Sequence, residues 1–504
     1  MKKNKIILIL VIAFLLPIAL SAQKFKESII TPFDGEKFDL FGNSVSVYGD
    51  YAAVGAPWDD DKGIESGSVY IYKKINGEWT FKQKLNASDG GADDRFGNLF
   101  IQGDRLIVSG YKNINYGKRT GAVYEFKLEN NNWIEKKKIS PPDTIEDATF
   151  GCSVLLYKNY AIIGSFRDVE YGKLSGAVYI YLIKGDQWHF LKKINSEKVD
   201  YSDAFGFSVS MSDEYLAIGA PQDSTKNGIY AGSLYLYKQT SDTTWIKDTV
   251  LTAPSGNWYD DFGRATAINN LNLIVSASGN VYSTDPGRSY VYTNVEGKWI
   301  IEQVLSGISS YADHFGFSVS LERDFLLVGA PYAVVDGIRC GAAYFYQRVG
   351  GKWEESFVFC PSDGSEYDFF GSSVTVSDNI LIGAHSKGVN DTGGVYFYTK
   401  VISELKKTDF IPGELVLCQN YPNPFNPTTT ISYYLPEAGN LEIKVFDMLG
   451  REVVRLFDGY QSSGYKSINF NAASNPSGVY FCKLNYSNNT LGESSKTIKM
   501  TLFK

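Results

Sequence analysis

The chain has 504 residues, 44% hydrophobic and 15% aromatic, with a formal net charge of −7; it is too long for one ordinary domain and ample for a sizeable core. Tyr (35 copies), Phe (31) and Gly (48) are all abundant, the mixture expected of many short strands joined by tight turns. Mild acidity, with no basic stripe interleaved with aromatics, excludes nucleic acid as a partner.

The N-terminus runs Lys2-Lys3-Asn4-Lys5, an apolar stretch from Ile6 to Leu20, then Ser21-Ala22-Gln23. A basic start, a short apolar run and small residues near a cut predict a secretory signal peptide over residues 1–22. The apolar run is short for a membrane span of roughly 20 residues, and no later segment predicts an integral span.

From residue 24 to 400 a Phe-Gly dipeptide recurs at Phe41, Phe96, Phe150, Phe205, Phe262, Phe315 and Phe370, every 53 to 57 residues. Each repeat has one internal grammar, shown by the first. An alternating run Ser44–Val47 meets a turn at Gly49-Asp50, and Ala52–Pro57 leads into a polar loop. Gly67–Tyr72 and Trp79–Leu85 then flank an Asn76-Gly77 hairpin turn. Four antiparallel strands per repeat predict one propeller blade each.

The seventh repeat ends at Tyr398 without a Trp-bearing fourth strand, whereas Lys26–Thr31 before Asp34-Gly35 resembles Lys82–Asn86 before Asp89-Gly90. The N-terminal strand is therefore expected to close a ring of seven blades, leaving no free sheet edge. An Asp two residues before the Phe-Gly (Asp39, Asp94, Asp203, Asp260, Asp313, Asp368) reads as a turn-capping acceptor rather than a catalytic ring, because it is copied in nearly every blade.

These repeats resemble the FG-GAP family, which also builds the integrin α-subunit propeller. Gly55-Ala56-Pro57, Gly219-Ala220-Pro221 and Gly329-Ala330-Pro331 carry the second half of that signature. The integrin relatives hold calcium in long loops between the first and second strands. Here those links are two-residue turns such as Gly103-Asp104, Asp213-Glu214 and Arg323-Asp324, too short to wrap an ion that takes six to eight oxygens. Neither that calcium nor any other cofactor is expected.

The longer loops, between second and third strands and between blades, share one rim, the default place for a ligand. Trp58-Asp59-Asp60-Asp61 is its most distinctive stretch, suited to stacking on a sugar or holding a cation, or simply a solvated acidic loop. Arg167, Asp168, Gln222, Asp223, Trp258, Tyr259 and Tyr332 are expected on the same rim. His189, His314 and His385 are scattered singly, and no nucleophile elbow, phosphate loop or zinc-protease motif is present. Paired carboxylates for glycoside hydrolysis remain open, since their pairing is spatial.

The five cysteines make no disulfide framework. Cys340 and Cys360 flank one hairpin, where a three-residue turn would set them opposite each other and a two-residue Gly350-Gly351 turn would point them to opposite faces. Cys418 and Cys482 are a second possible pair.

After a linker at 401–414, residues 415–504 change grammar. The Pro-rich Tyr421-Pro422-Asn423-Pro424-Phe425-Asn426-Pro427 predicts an extended lead-in. Alternating strands then follow, predicting a small immunoglobulin-like sandwich. The Tyr421–Pro427 motif, Asp447 with Gly450, Gly478 with Tyr480, and the terminal Lys504 resemble the type A C-terminal sorting domain of type IX secretion. That resemblance implies the secretion machinery and its sorting protease as partners, and release or attachment at the outer-membrane surface. The expected protein is thus all-β: a seven-bladed propeller and a small sandwich. Its expected role is binding or adhesion toward an extracellular protein or glycan, with a secreted polysaccharide-acting enzyme as the alternative and a matrix component as a third reading.

Overall fold

The computed structural model describes residues 25–503 apart from 116, 171–172, 197–202, 280–284, 308–311, 389, 401–414, 418–419, 421–424, 426, 463 and 489–491. The signal peptide, the linker, Cys418, Tyr421, Pro422, Asn423, Pro424, Asn426 and Lys504 lie outside the described residues. The chain divides into two compact units, Met1–Val401 and Ile402–Lys504.

Among the described residues the first unit has seven four-stranded antiparallel sheets. The first sheet is Ser44–Tyr48, Tyr51–Ala56, Ser68–Ile75 and Glu78–Leu85. The others begin at Phe96, Val154, Ser208, Phe262, Ser318 and Phe370. The seventh takes its outer strand from the opposite end of the unit: Phe25–Ile30 pairs in unbroken register with Gly394–Lys400, Ile30 opposite Val395. Phe25 packs 4.9 Å from the ring of Phe359, and the Tyr398 hydroxyl donates to Glu27 at 2.6 Å.

The first strand of each sheet lies against the first strand of the next, and Phe370–Val376 lies against Ser44–Tyr48, so the succession closes on itself. Three couplings recur at the junctions. The repeat Phe is at most 1% exposed and meets a third-strand Tyr of its own sheet edge-on, as Phe41 does Tyr70 at 5.1 Å. Its backbone N–H donates to the preceding sheet, from Phe41 to Thr392 (3.1 Å) and from Phe96 to Ser66 (2.9 Å). A serine of one sheet donates to the Phe-Gly carbonyl of the next at six of the seven junctions, including Ser373 to Gly42 at 2.7 Å where the ends meet.

Six sheets carry a register shift between third and fourth strands at one equivalent place, such as Ile71/Tyr72 and Phe345/Tyr346. This bulge changes the register expected around the cysteines. The turn at Gly350-Gly351 does have two residues, Val349 facing Lys352, but the bulge adds one more, so Ala343 faces Phe359. Cys340 and Cys360 lie beyond this last pair, Cys340 past Gly341 at φ 95°, where strand alternation no longer assigns a face. Both are free thiols, as is the buried Cys482.

The second unit has sheets Val416–Leu417/Thr428–Leu435/Gly464–Asn471 and Glu452–Gln461/Gly439–Asp447/Gly478–Asn488/Gly492–Leu502. Ile431, Leu435 and Phe470 of the one share a core with Ile443, Cys482 and Met500 of the other. Among the sorting-motif residues, Phe425 is buried and its N–H donates to Thr501 at 2.9 Å. Pro427 accepts from the Ala472 amide at 2.8 Å. Asp447 closes its turn by accepting from the amides of Leu449 (2.9 Å) and Arg451 (3.0 Å), with Gly450 at φ 76°. Tyr480 begins its chain of contacts beside Gly478 by donating to Pro476 at 2.7 Å.

Candidate ligand-binding rim

The carboxylates of the long loops are largely engaged inside the sheets. Asp59 is 3% exposed and accepts from Ser68 Oγ (2.7 Å) and the Tyr70 hydroxyl (2.9 Å). Lys84 on the fourth strand reaches Asp34, Asp59 and Asp61 at 2.8, 2.9 and 2.8 Å. Burial works against the Lys84 charge, but the hydrogen bonds to these carboxylates outweigh it and hold its pKa above that of an ordinary lysine. The box is rebuilt in other sheets: Lys193 joins Asp143 and Asp168, and Tyr179 donates to both. Asp223 accepts from Tyr235 at 3.0 Å. In these sheets a third-strand Tyr capped by loop carboxylates thus anchors the loop to its sheet.

In four sheets the recurring Asp before the Phe-Gly caps a turn, the role its repetition predicted. Asp39, Asp94, Asp260 and Asp368 each accept the amide three residues upstream, from Glu36, Gly91, Asn257 and Ser365 at 2.6 to 2.9 Å. Burial lifts all four above the usual carboxylate range, Asp39 to about 6. A folded pKa above the unfolded one means that the native state binds the extra proton, so stability gained at low pH is lost as pH rises through the folded value. Thermal melts are therefore expected to rise by a few degrees, roughly, between pH 7 and 5. Below about pH 4 they should fall, as Asp34, Asp89 and Asp363, which lysine and tyrosine hydrogen bonds hold low against burial, take up protons. The variant Asp39→Asn should flatten the rise.

The residues flanking the Phe-Gly are those that differ between sheets. Immediately before it stand Leu40, Arg95, Thr149, Ala204, Asp261, His314 and Phe369, and all seven hold φ between 54° and 63°. A non-glycine residue there is uncommon and costly. It persists because the next residue's N–H is locked to the neighbouring sheet. Immediately after it stand Asn43, Asn98, Cys152, Phe207, Arg264, Phe317 and Ser372. These positions open the innermost strands, so they ring the axis on the long-loop rim.

Two aromatic groups form there. The rings of His314 and Tyr332 are 4.5 Å apart, Tyr332 and Phe369 4.9 Å, and Phe369 stacks on His385 at 5.3 Å. Burial depresses the pKa of His314, and that of His385 to about 4, so both imidazoles are neutral at pH 7. In the second group, Phe166 meets Phe207 at 5.6 Å, and Arg264 lies between Phe207 and Phe317.

Of the residues expected on the rim, Tyr332 alone enters these groups. Trp58 is half-buried, its ring 5.1 Å from the Arg95 guanidinium, which also pairs with Glu65 at 2.6 Å. Asp60 is exposed and accepts the Glu65 amide at 2.7 Å, and Asp61 faces Lys84. Arg167 is exposed, whereas Asp168 and Asp223 are buried. Gln222 donates its amide to Asp203 at 3.2 Å. Trp258 is 61% exposed and lies over Gly228, while Tyr259 meets Tyr230 at 5.7 Å. Arg95, Arg264, His314, Phe369 and His385 escaped sequence reasoning. For Arg95, Arg264, His314 and Phe369 the signal that could have found them is variation on either side of an otherwise uniform dipeptide; His385 instead stands where other repeats carry the Pro of Gly-Ala-Pro.

Fold and repeats together define a β-propeller protein. The FG-GAP repeat model matches residues 25–72, 79–126, 133–181, 188–237, 309–346 and 353–398, more than half of the chain, and the chain belongs to that family. A secretion system C-terminal sorting domain matches residues 419–499; it directs export by type IX secretion to the cell surface or the extracellular space. No curated protein matches the sequence. Among solved structures the chain is similar to a fungal alcohol oxidase in complex with copper, at TM-score 0.46 and 10% identity over 95% of this chain and 100% of that one. It is also similar to the β-propeller domain of the Trilobed protease from Pyrococcus furiosus, at TM-score 0.40 and 9% identity over 68% and 90%.

Proposed function

We propose that the chain is a seven-bladed propeller displayed or released outside the cell, binding an extracellular ligand through its long-loop rim without transforming it. On this reading residues 415–504 are an immunoglobulin-like sandwich that serves export and is removed by the sorting protease. The observation that carries the reading is the contrast within one rim: its loop carboxylates are committed to Tyr–Lys boxes, while the axial positions share one backbone conformation and differ in side chain. A rigid frame with variable tips is suited to recognition.

A glycan and protein array combined with a polysaccharide-degradation screen tests the role. Stable binding without product is expected, and turnover without stable binding would overturn it. Deleting residues 415–504 is expected to leave a folded propeller retained in the periplasm, seen by cell fractionation. Normal secretion of that truncation would refute the export role.

A further inference from the structure

Of the seven residues that directly follow a Phe-Gly, Arg264 alone is charged. Phe207 from the preceding sheet and Phe317 from the following one hold its guanidinium at 5.5 and 4.2 Å from their ring centroids. Its ion pair with Asp261, at 3.8 Å, is too long for a hydrogen bond, and the side chain makes none among the described residues. The side chain is 24% exposed. A guanidinium has five N–H donors, all in its plane. The two rings contribute cation–π attraction but offer those donors no oxygen acceptor. The guanidinium therefore makes no hydrogen bond among the described residues, and its ion pair with Asp261 is a long one.

That geometry matches a carboxylate, which accepts two parallel N–H bonds from an arginine edge. The surroundings narrow the ligand further. Asp260 and Asp261 in the same turn, and Asp313 in the next, are buried carboxylates, which disfavour a densely charged polyanion. Half-buried rings, with Tyr332 close enough to bear on the Arg264 charge, suit a sugar face. We propose that this Phe–Arg–Phe clamp is a subsite for the carboxylate of a uronic acid borne on an otherwise neutral glycan. The proposal rests on the rim-binding reading above and deepens it.

The test is calorimetric titration of the secreted protein with three probes: xylotriose carrying one glucuronate, plain xylotriose, and an acetylated triglutamate peptide. The acidic sugar should bind at least about tenfold more tightly than xylotriose, and Arg264→Met should remove that advantage. Met keeps the contact with both rings, so the melting temperature should stay within about 2 °C of the parent. If Arg264→Met fails to fold, Arg264→Lys, which keeps the charge without the fork, should still weaken the acidic sugar relative to the neutral one. Equal binding of the two sugars, or no binding of either, overturns the clamp. Equal or tighter binding of the peptide overturns the glycan assignment. A different array ligand held equally by the parent and Arg264→Met would refute the clamp while leaving rim binding intact.

Discussion

A chain lacking residues 25–30 is expected to melt on the order of 10 °C below the parent, and to aggregate on heating. Six ladder positions would vanish, from Phe25 opposite Lys400 to Ile30 opposite Val395. The Phe25 ring would leave the cluster it forms with Phe345, Phe357 and Phe359, and the Tyr398 hydroxyl would lose its carboxylate. Gly394–Lys400 would become a bare edge, a template for another chain. Scanning calorimetry and light scattering of the truncated secreted protein check this, and an unchanged melt would contradict closure by that strand. The single change Phe25→Ala should cost about 2 kcal/mol, below the range for a fully buried ring because Phe25 is half-buried.

Gly219→Ala should be nearly as damaging, although it adds one methyl group. A Cβ there would fall 1.9 Å from the carbonyl oxygen of Gly263 in the next sheet and 2.3 Å from Ser208 Oγ. Both neighbours are fixed, since Ser208 donates to that same carbonyl at 2.8 Å. The two sheets must separate, and a loss of about 3 kcal/mol or more is expected in urea titration. Gly103→Ala is the comparison: nothing lies within 4 Å of its Cβ, and only its φ of 63° opposes alanine, for a cost of about 1 kcal/mol. Equal losses from the two variants would show that the inter-sheet contact is not limiting.

The repeat made the propeller legible, because hydrophobic alternation and turn residues recur in phase and the two incomplete ends complement each other. The Asp39 series was legible for the same reason: an acceptor three residues after an amide is a local fact. What stayed hidden was contact between repeats. Nothing in Trp58–Asp61 announces that Lys84, on a strand two turns later, will collect its carboxylates together with Asp34. Nor does the order of residues reveal that Phe207, Arg264 and Phe317, more than fifty positions apart in succession, become neighbours once the inner strands converge. The register beside the cysteines was missed for a smaller cause, one extra residue opposite Phe345/Tyr346, which no pattern of period two can announce.

The seven left-handed residues before the Phe-Gly have a consequence for how this surface can change over generations. Leucine, arginine, threonine, alanine, aspartate, histidine and phenylalanine all occupy one strained backbone state there, so that state is imposed by the neighbouring sheet and indifferent to the side chain. Each site works like a socket, and its occupant can be exchanged without renegotiating the fold. New specificity would be reached by substitutions at these seven places, each tolerated before it is useful, with the surrounding junctions left untouched.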